Sequence, residues 1–278
     1  LHWGILIKFQ VFHIGKNPSN TALVTLRCHI EDAKQTDSIL KDRSSLKTYE
    51  YLNTILDEED KKILNKRVKR NLVKHTALRA KKYDDYVIQF LSKHPEAIII
   101  NIGCGLDHRF ERIDNGKCEF IDLDLPDVMD IKKNIFPGTK RYRQIGQSVF
   151  DFNWLDNIDK APVLLLAEGV FMFCNETEVK ALFNELHKRM PDSCIVFEVF
   201  SSKWLKGWKG KATEFKLRKQ LKFGKDASFQ FGIADSDEIE NWSENYKLKE
   251  DWSYFDVIKP NVKDFLRKIQ WTVYYKIK

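Results

Sequence analysis

The chain has 278 residues, enough for one large α/β domain, and its 43% hydrophobic and 31% charged content is that of a folded globular protein rather than a disordered or fibrous one. No apolar run reaches the roughly 18 residues of a membrane-spanning helix, so a membrane partner is not expected. The net charge of +7 is clustered: Lys61 to Lys82 contains no acid, and Lys203 to Lys225 is broken only by Glu214. Such zones suit a solvated helix face or a nucleic-acid surface, and the scarcity of aromatics in the first favours the solvated face.

Residues 1–19 are apolar but interrupted by Lys8, Gln10 and His13, with no small-residue cleavage site after them. They read as a loosely attached extension rather than a signal peptide. Residues 20–95 read as a helical cap. Leu23, Leu26 and Ile30 stand at helical spacing, as do Leu46, Tyr49, Leu52 and Leu56. Leu78, Tyr83, Val87, Phe90 and Leu91 form a third stripe that stops at Pro95.

At Ala97 the period changes. Apolar strands are predicted at Ala97–Ile102, Cys118–Pro126, Arg141–Gly146, Ala161–Gly169 and Asp192–Phe200, with helices at Leu106–Ile113, Pro126–Ile135 and Glu176–Met190 between them. Continuous apolar strands alternating with helices predict a parallel sheet covered on both faces. Right-handed crossovers then gather the strand C-termini, and the ligand site, at one edge. Residues 201–260 break the pattern, with many Lys and Trp and one acidic helix at Asp235–Trp242, and read as a lid insertion. Tyr246–Val257 and Lys268–Ile277 read as two final antiparallel strands at one side of the sheet. Residues 96–278 thus form the ligand-binding domain.

The five cysteines are scattered and never spaced as Cys-x-x-Cys. That argues for a reducing cytoplasm and against a disulfide framework or a metal site. Gly103-Cys104-Gly105 follows the first strand, where glycines let a ligand approach the backbone. The dinucleotide fingerprint needs a third glycine where His108 stands, which argues against a nicotinamide dehydrogenase. The second strand ends at Asp122 and Asp124, and a carboxylate there suits ribose hydroxyls. Asp124, nearer the strand end, is the preferred one. Glu168 stands directly after the apolar run Val163–Ala167. A carboxylate so placed needs a cation or donors to meet it, and a sulfonium with an amino group would do so.

Together "NIGCGLDHRF", "DLDLP", "SVFDFNWLD" and "LLAEGVFMF" resemble, in order and spacing, the leucine carboxyl methyltransferase superfamily, on its branch of polyketide-synthesis O-methyltransferases. The resemblance runs from about Asn20 to the C-terminus. It implies a class I methyltransferase fold, Rossmann-like with a seven-stranded, mostly parallel sheet, using S-adenosylmethionine and releasing S-adenosylhomocysteine. It also implies cofactor contacts. Gly103, with Gly105 in the same turn, would lie against the methionine part, and Arg79 would bind its carboxylate. Asp124 would hold the ribose. Ser148, Val149 and Asp151 would lie by the adenine, and Glu168 near the methionine end. The expected function is O-methylation of a carboxylate or hydroxyl on a small molecule such as a polyketide. His29, His75 and His108 are candidate bases, none preferred. Trp204, Trp208, Phe223, Phe229 and Phe231 could line an apolar acceptor pocket. The rival readings are a nucleic-acid-binding protein or methyltransferase using residues 61–82, and a protein C-terminal carboxyl methyltransferase.

Overall fold

The computed structural model describes residues 20–204 and 229–278. Its centre is a seven-stranded sheet in the order β3-β2-β1-β4-β5-β7-β6. The strands are β1 (Ile98–Ile102), β2 (Glu119–Asp124), β3 (Tyr142–Gly146), β4 (Val163–Ala167), β5 (Cys194–Phe200), β6 (Tyr246–Trp252) and β7 (Gln270–Ile277). From β3 through β1 to β5 every pairing is parallel. Only β7 runs against its neighbours, pairing antiparallel with both β5 and β6.

The period-2 geometry of each strand sends alternate residues to opposite faces, and the two faces have separate cores. On one face, Ile98, Ile100 and Ile102 of β1 and Leu165 of β4 pack with Val179, Leu182, Phe183 and Leu186 of helix α7 (Glu176–Arg189). On the other, Ile99 and Leu164 pack with Tyr83, Tyr86, Val87 and Phe90 of helix α4 (Arg70–Lys93). This two-sided burial explains why the central strands read as unbroken apolar runs.

Helices α1 (Asn20–Ala33), α2 (Ser44–Ile55) and α3 (Glu58–Leu64) form a small bundle over the turn after β1. Leu23, Leu26, Ile30, Leu52 and Leu64 pack with Leu106 of that turn and with Ile131 of α6 (Pro126–Ile135). The periodicity did not disclose α3. It starts at a cap, where the Asp57 carboxylate accepts from the N–H groups of Glu59 and Asp60.

The structure trims three expectations. The helix expected at Leu106–Ile113 is only α5 (Phe110–Ile113), because the chain first turns through Gly103 and Gly105, both at positive φ. The strand expected to Val257 ends at Trp252. Ser253 and Asp256 then turn the chain into α8 (Phe255–Ile258), and α9 (Asp264–Arg267) leads into β7. Arg267 clamps that connection by reaching Asp251 at 2.7 Å and Asp256 at 2.7 Å. The acidic segment near Asp235 is a 3-10 turn, Glu238–Trp242, rather than an α-helix.

Candidate active site

The strand order reverses at β1, which has β2 on one side and β4 on the other. The splayed loops at such a point leave a crevice beyond the strand C-termini. Gly103 leaves β1 there and Glu168 leaves β4. Gly103 lies at φ +60° and donates to the Leu123 carbonyl at 2.8 Å. A Cβ at this position would stand 2.5 Å from Val170 Cγ2. The protein's own packing therefore demands this glycine, whatever else the turn accommodates.

The two aspartates of β2 have different surroundings. Asp122 is fully buried and is held by Lys132 Nζ at 2.7 Å, the Tyr142 hydroxyl at 2.6 Å and the Asn101 amide at 3.0 Å. Asp124 is half-buried at the crevice. Its carboxylate accepts from the Gly105 N–H and the Leu125 N–H, each at 2.7 Å, and thus ties the glycine turn to the end of β2. Burial raises its pKa, against the pull of those two N–H groups. With two of about four lone-pair positions used, the carboxylate can still accept from hydroxyls.

Arg79 and Glu168, far apart in sequence, meet directly. Arg79 Nε donates to Glu168 Oε1 at 2.8 Å, and its Nη1 reaches both oxygens of Glu198 at 3.3 and 3.2 Å. Arg109 Nη2 holds the other oxygen of Glu168 at 2.6 Å. Burial works to raise the Glu168 pKa, but Arg79 and Arg109 outweigh it and hold the carboxyl below its ordinary value. Glu198, inside β5, is raised by burial, with Arg79 and the Gln270 amide opposing. The network extends outward through Asp84, Asp107, Arg112 and Asp42.

Ser148 and Val149 lie in the loop after β3. Val149 is buried in the core and its carbonyl accepts from the Trp154 indole at 2.9 Å, while Ser148 Oγ is half-buried and accepts from the Phe150 N–H. Asp151 is exposed and caps the 3-10 turn Phe152–Asn157. The three histidines differ as well. His29 is buried, with Nδ1 2.9 Å from Asp42. His108 stacks on Phe136 at 3.8 Å, and burial holds its pKa down at about 4. His75, one helical turn before Arg79, stands edge-on to Tyr254 at 4.6 Å, and burial and Arg79 hold it at about 4. Cys104 is buried and its thiol pKa is pushed well up, which makes it a packing residue. His29, Asp42 and Asp107 cluster closely enough to suit a cation, but the Arg112 guanidinium already spans both acids, 3.4 Å from Asp42 and 2.8 Å from Asp107.

Of the aromatics expected to line an acceptor pocket, Trp208 and Phe223 lie outside the described residues. Phe231 is buried in the main core against Trp242. Phe229 stacks on Phe173 and Phe200, and Trp204 packs on the same group. The sequence reading missed Glu198 and Arg109. Glu198 was visible as a lone acid inside an apolar strand, a position that burial makes costly without a cation.

The sequence pattern of the leucine carboxyl methyltransferase family matches residues 29–187, a span that includes the glycine turn, both β2 aspartates and Glu168. The chain belongs to that family. The tetracenomycin polyketide synthesis O-methyltransferase TcmP of Streptomyces glaucescens is 29% identical over 238 residues, covering 85% of this chain and 83% of its own. Among solved structures, a DUF574-family protein of Streptomyces avermitilis matches with a TM-score of 0.58 at 14% identity, over 86% of this chain and 99% of its own. The magnesium protoporphyrin IX methyltransferase of Synechocystis, solved with bound S-adenosylhomocysteine, matches with a TM-score of 0.50 at 10% identity, over 84% and 100%. The protein is thus a methyltransferase with the class I Rossmann-like fold. Among the described residues, no helix is long and apolar enough to cross a membrane.

Proposed function

We propose that the protein transfers a methyl group from S-adenosylmethionine to an oxygen of a small molecule, either a carboxylate or a hydroxyl. The observation that carries this reading is the Arg79–Glu168 pair at the C-terminal end of β4, beside the glycine turn and Asp124. One cation and one anion at the reversal of strand order match the carboxylate and ammonium of an amino acid. Arg79 would hold the cofactor carboxylate and Glu168 the ammonium. Asp124 would accept from the ribose hydroxyls, and Ser148 and Val149 would lie beside the adenine. The turn at Gly103 and Gly105 would carry the methionine chain. The donor set fits the group, because an arginine, a glutamate and an aspartate stand at one crevice and Asp124 has only two of its lone-pair positions used by the protein.

When bound, the cofactor supplies an electrophilic methyl on a sulfonium. The chain's own residues orient both reactants and exclude water, so the main contribution is alignment. A carboxylate acceptor needs no base. A hydroxyl acceptor usually needs one, and His75, held at about 4, is neutral at physiological pH but only weakly basic. Likeness to TcmP supports a polyketide-like acceptor. Two further proposals concern organisation: residues 20–95 act as a cap on the catalytic domain of residues 96–278, and the protein works in the cytoplasm.

The test is methyl transfer from labelled S-adenosylmethionine to a panel of aromatic carboxylic acids and phenols. Label in a base-labile ester or a base-stable ether is the expected outcome. Label only on nitrogen or carbon would overturn the oxygen assignment.

A further inference from the structure

Arg79 already serves two carboxylates, Glu168 at 2.8 Å and Glu198 at 3.2 Å. If the functional reading above holds, a third carboxylate, that of the cofactor, draws on the same guanidinium. Glu168 then shares Arg79 with that carboxylate while remaining buried, and it has to be ionised already for the cofactor's ammonium to pair with it. Burial alone pushes a carboxyl toward the protonated form. A protonated Glu168 would carry no charge for the cofactor's ammonium.

We propose that Arg109 is the positioning residue that keeps Glu168 ionised and correctly aimed while Arg79 is engaged by the cofactor. Arg109 holds the oxygen of Glu168 that Arg79 does not, Oε2 at 2.6 Å. It is only 2% exposed, so water screens the pair little. Its guanidinium is fixed from three other sides: Asp84 at 3.2 Å, Asp107 at 3.3 Å, and the Tyr83 ring with its centroid 5.4 Å away. Arg109 shares those two acids with a second cation, because Arg112 pairs with both, Asp84 at 2.7 Å and Asp107 at 2.8 Å. Arg109 makes no ion pair with Glu198, so the two arginines divide the work. Arg79 is shared and exchangeable, whereas Arg109 stays committed to Glu168.

The experiment has two arms. In the first, S-adenosylmethionine is titrated into wild type, Arg109→Gln, Arg109→Lys, Glu168→Gln and the double variant Arg109→Gln/Glu168→Gln, from about pH 6 to about pH 8, the range in which a buried carboxyl freed of its cation titrates. Wild type and Arg109→Lys should bind with a flat pH profile. Arg109→Gln should lose about tenfold or more at the acid end and recover as pH rises, since one pKa unit is about tenfold in protonation. It should add no further loss in the Glu168→Gln background. A pH-independent loss, or full additivity with Glu168→Gln, would assign Arg109 a purely structural role and overturn the proposal.

The second arm needs neither cofactor nor a folded Arg109 variant. Arg79→Gln imitates the diversion of Arg79, and infrared difference spectra against Arg79→Gln/Glu168→Gln isolate the Glu168 carboxyl. An ionised Glu168 at about pH 6 supports the proposal, and a protonated one overturns it. If wild type takes up no S-adenosylmethionine, the functional reading fails in the first arm and the second still decides the role of Arg109.

Discussion

Two residues at the crevice show how one position can be fixed by internal packing and another by charge. Gly103 is required because Val170 occupies the space a side chain would fill and because its φ is positive. Gly103→Ala should therefore cost about 2 kcal/mol or more, combining left-handed backbone strain with overpacking. Adding Val170→Ala should return the packing part and leave about 1 kcal/mol of backbone strain. Denaturant melts of wild type, Val170→Ala and the two Gly103→Ala variants check this, and an unchanged midpoint for Gly103→Ala would contradict it. Glu168 could be picked out in the sequence because a charge directly follows five apolar residues. Arg79 could not be separated from the bases around it by pattern alone, since its partners Glu168, just after β4, and Glu198, within β5, lie about 90 and 120 residues away. Only the resemblance singled it out. Arg109 carried even less signal, being one base in a polar turn.

At the level of elements, the strands were legible and the connections less so. Burial on both faces writes an apolar run that survives any register, which is why β1, β2, β4 and β5 were readable, whereas the mostly half-buried β3 left a weaker signal and β7 was read from its alternation. Short turns depend on single side chains, as at Asp57 before α3 and at Ser253 after β6, and periodicity does not register these. Helix α6 is a sharper case. Lys132 looks like a surface lysine, yet it is fully buried, paired with Asp122 and hydrogen-bonded to the Asp107 carbonyl. It thus pins the helix both to β2 and to the turn after β1. Burial works to lower its pKa, but Asp122 outweighs it and holds the ammonium charged. Lys132→Met should destabilise by about 3–5 kcal/mol, the cost of leaving Asp122 buried without its cation. Lys132→Met with Asp122→Asn should recover much of that. Thermal or denaturant unfolding would show it, and a loss under about 1 kcal/mol would mean that water or the Tyr142 hydroxyl replaces the cation.

Over the whole molecule, the fold brings α4, the turn after β1 and the ends of β4 and β5 to one place, and it does so with charge. Three arginines, Arg79, Arg109 and Arg112, meet Glu168, Glu198, Asp84 and Asp107 in one buried network. Charges so far from water are costly unless paired, and such networks concentrate at functional sites. The basic run from Lys61 to Lys82 takes on a different meaning in this setting. Arg79 turns inward to the site, whereas Lys82 pairs with Glu250 on β6 and Lys81 with Asp85. The central claim is that this crevice holds S-adenosylmethionine, with Asp124 on the ribose. The most direct measurement is calorimetric titration of wild type and Asp124→Ala with S-adenosylmethionine and S-adenosylhomocysteine, with NAD as control. Saturable binding of the first two by wild type, lost in Asp124→Ala, and no binding of NAD is the predicted result. Binding of NAD instead, or no binding of either adenosyl compound by folded wild type, would contradict it.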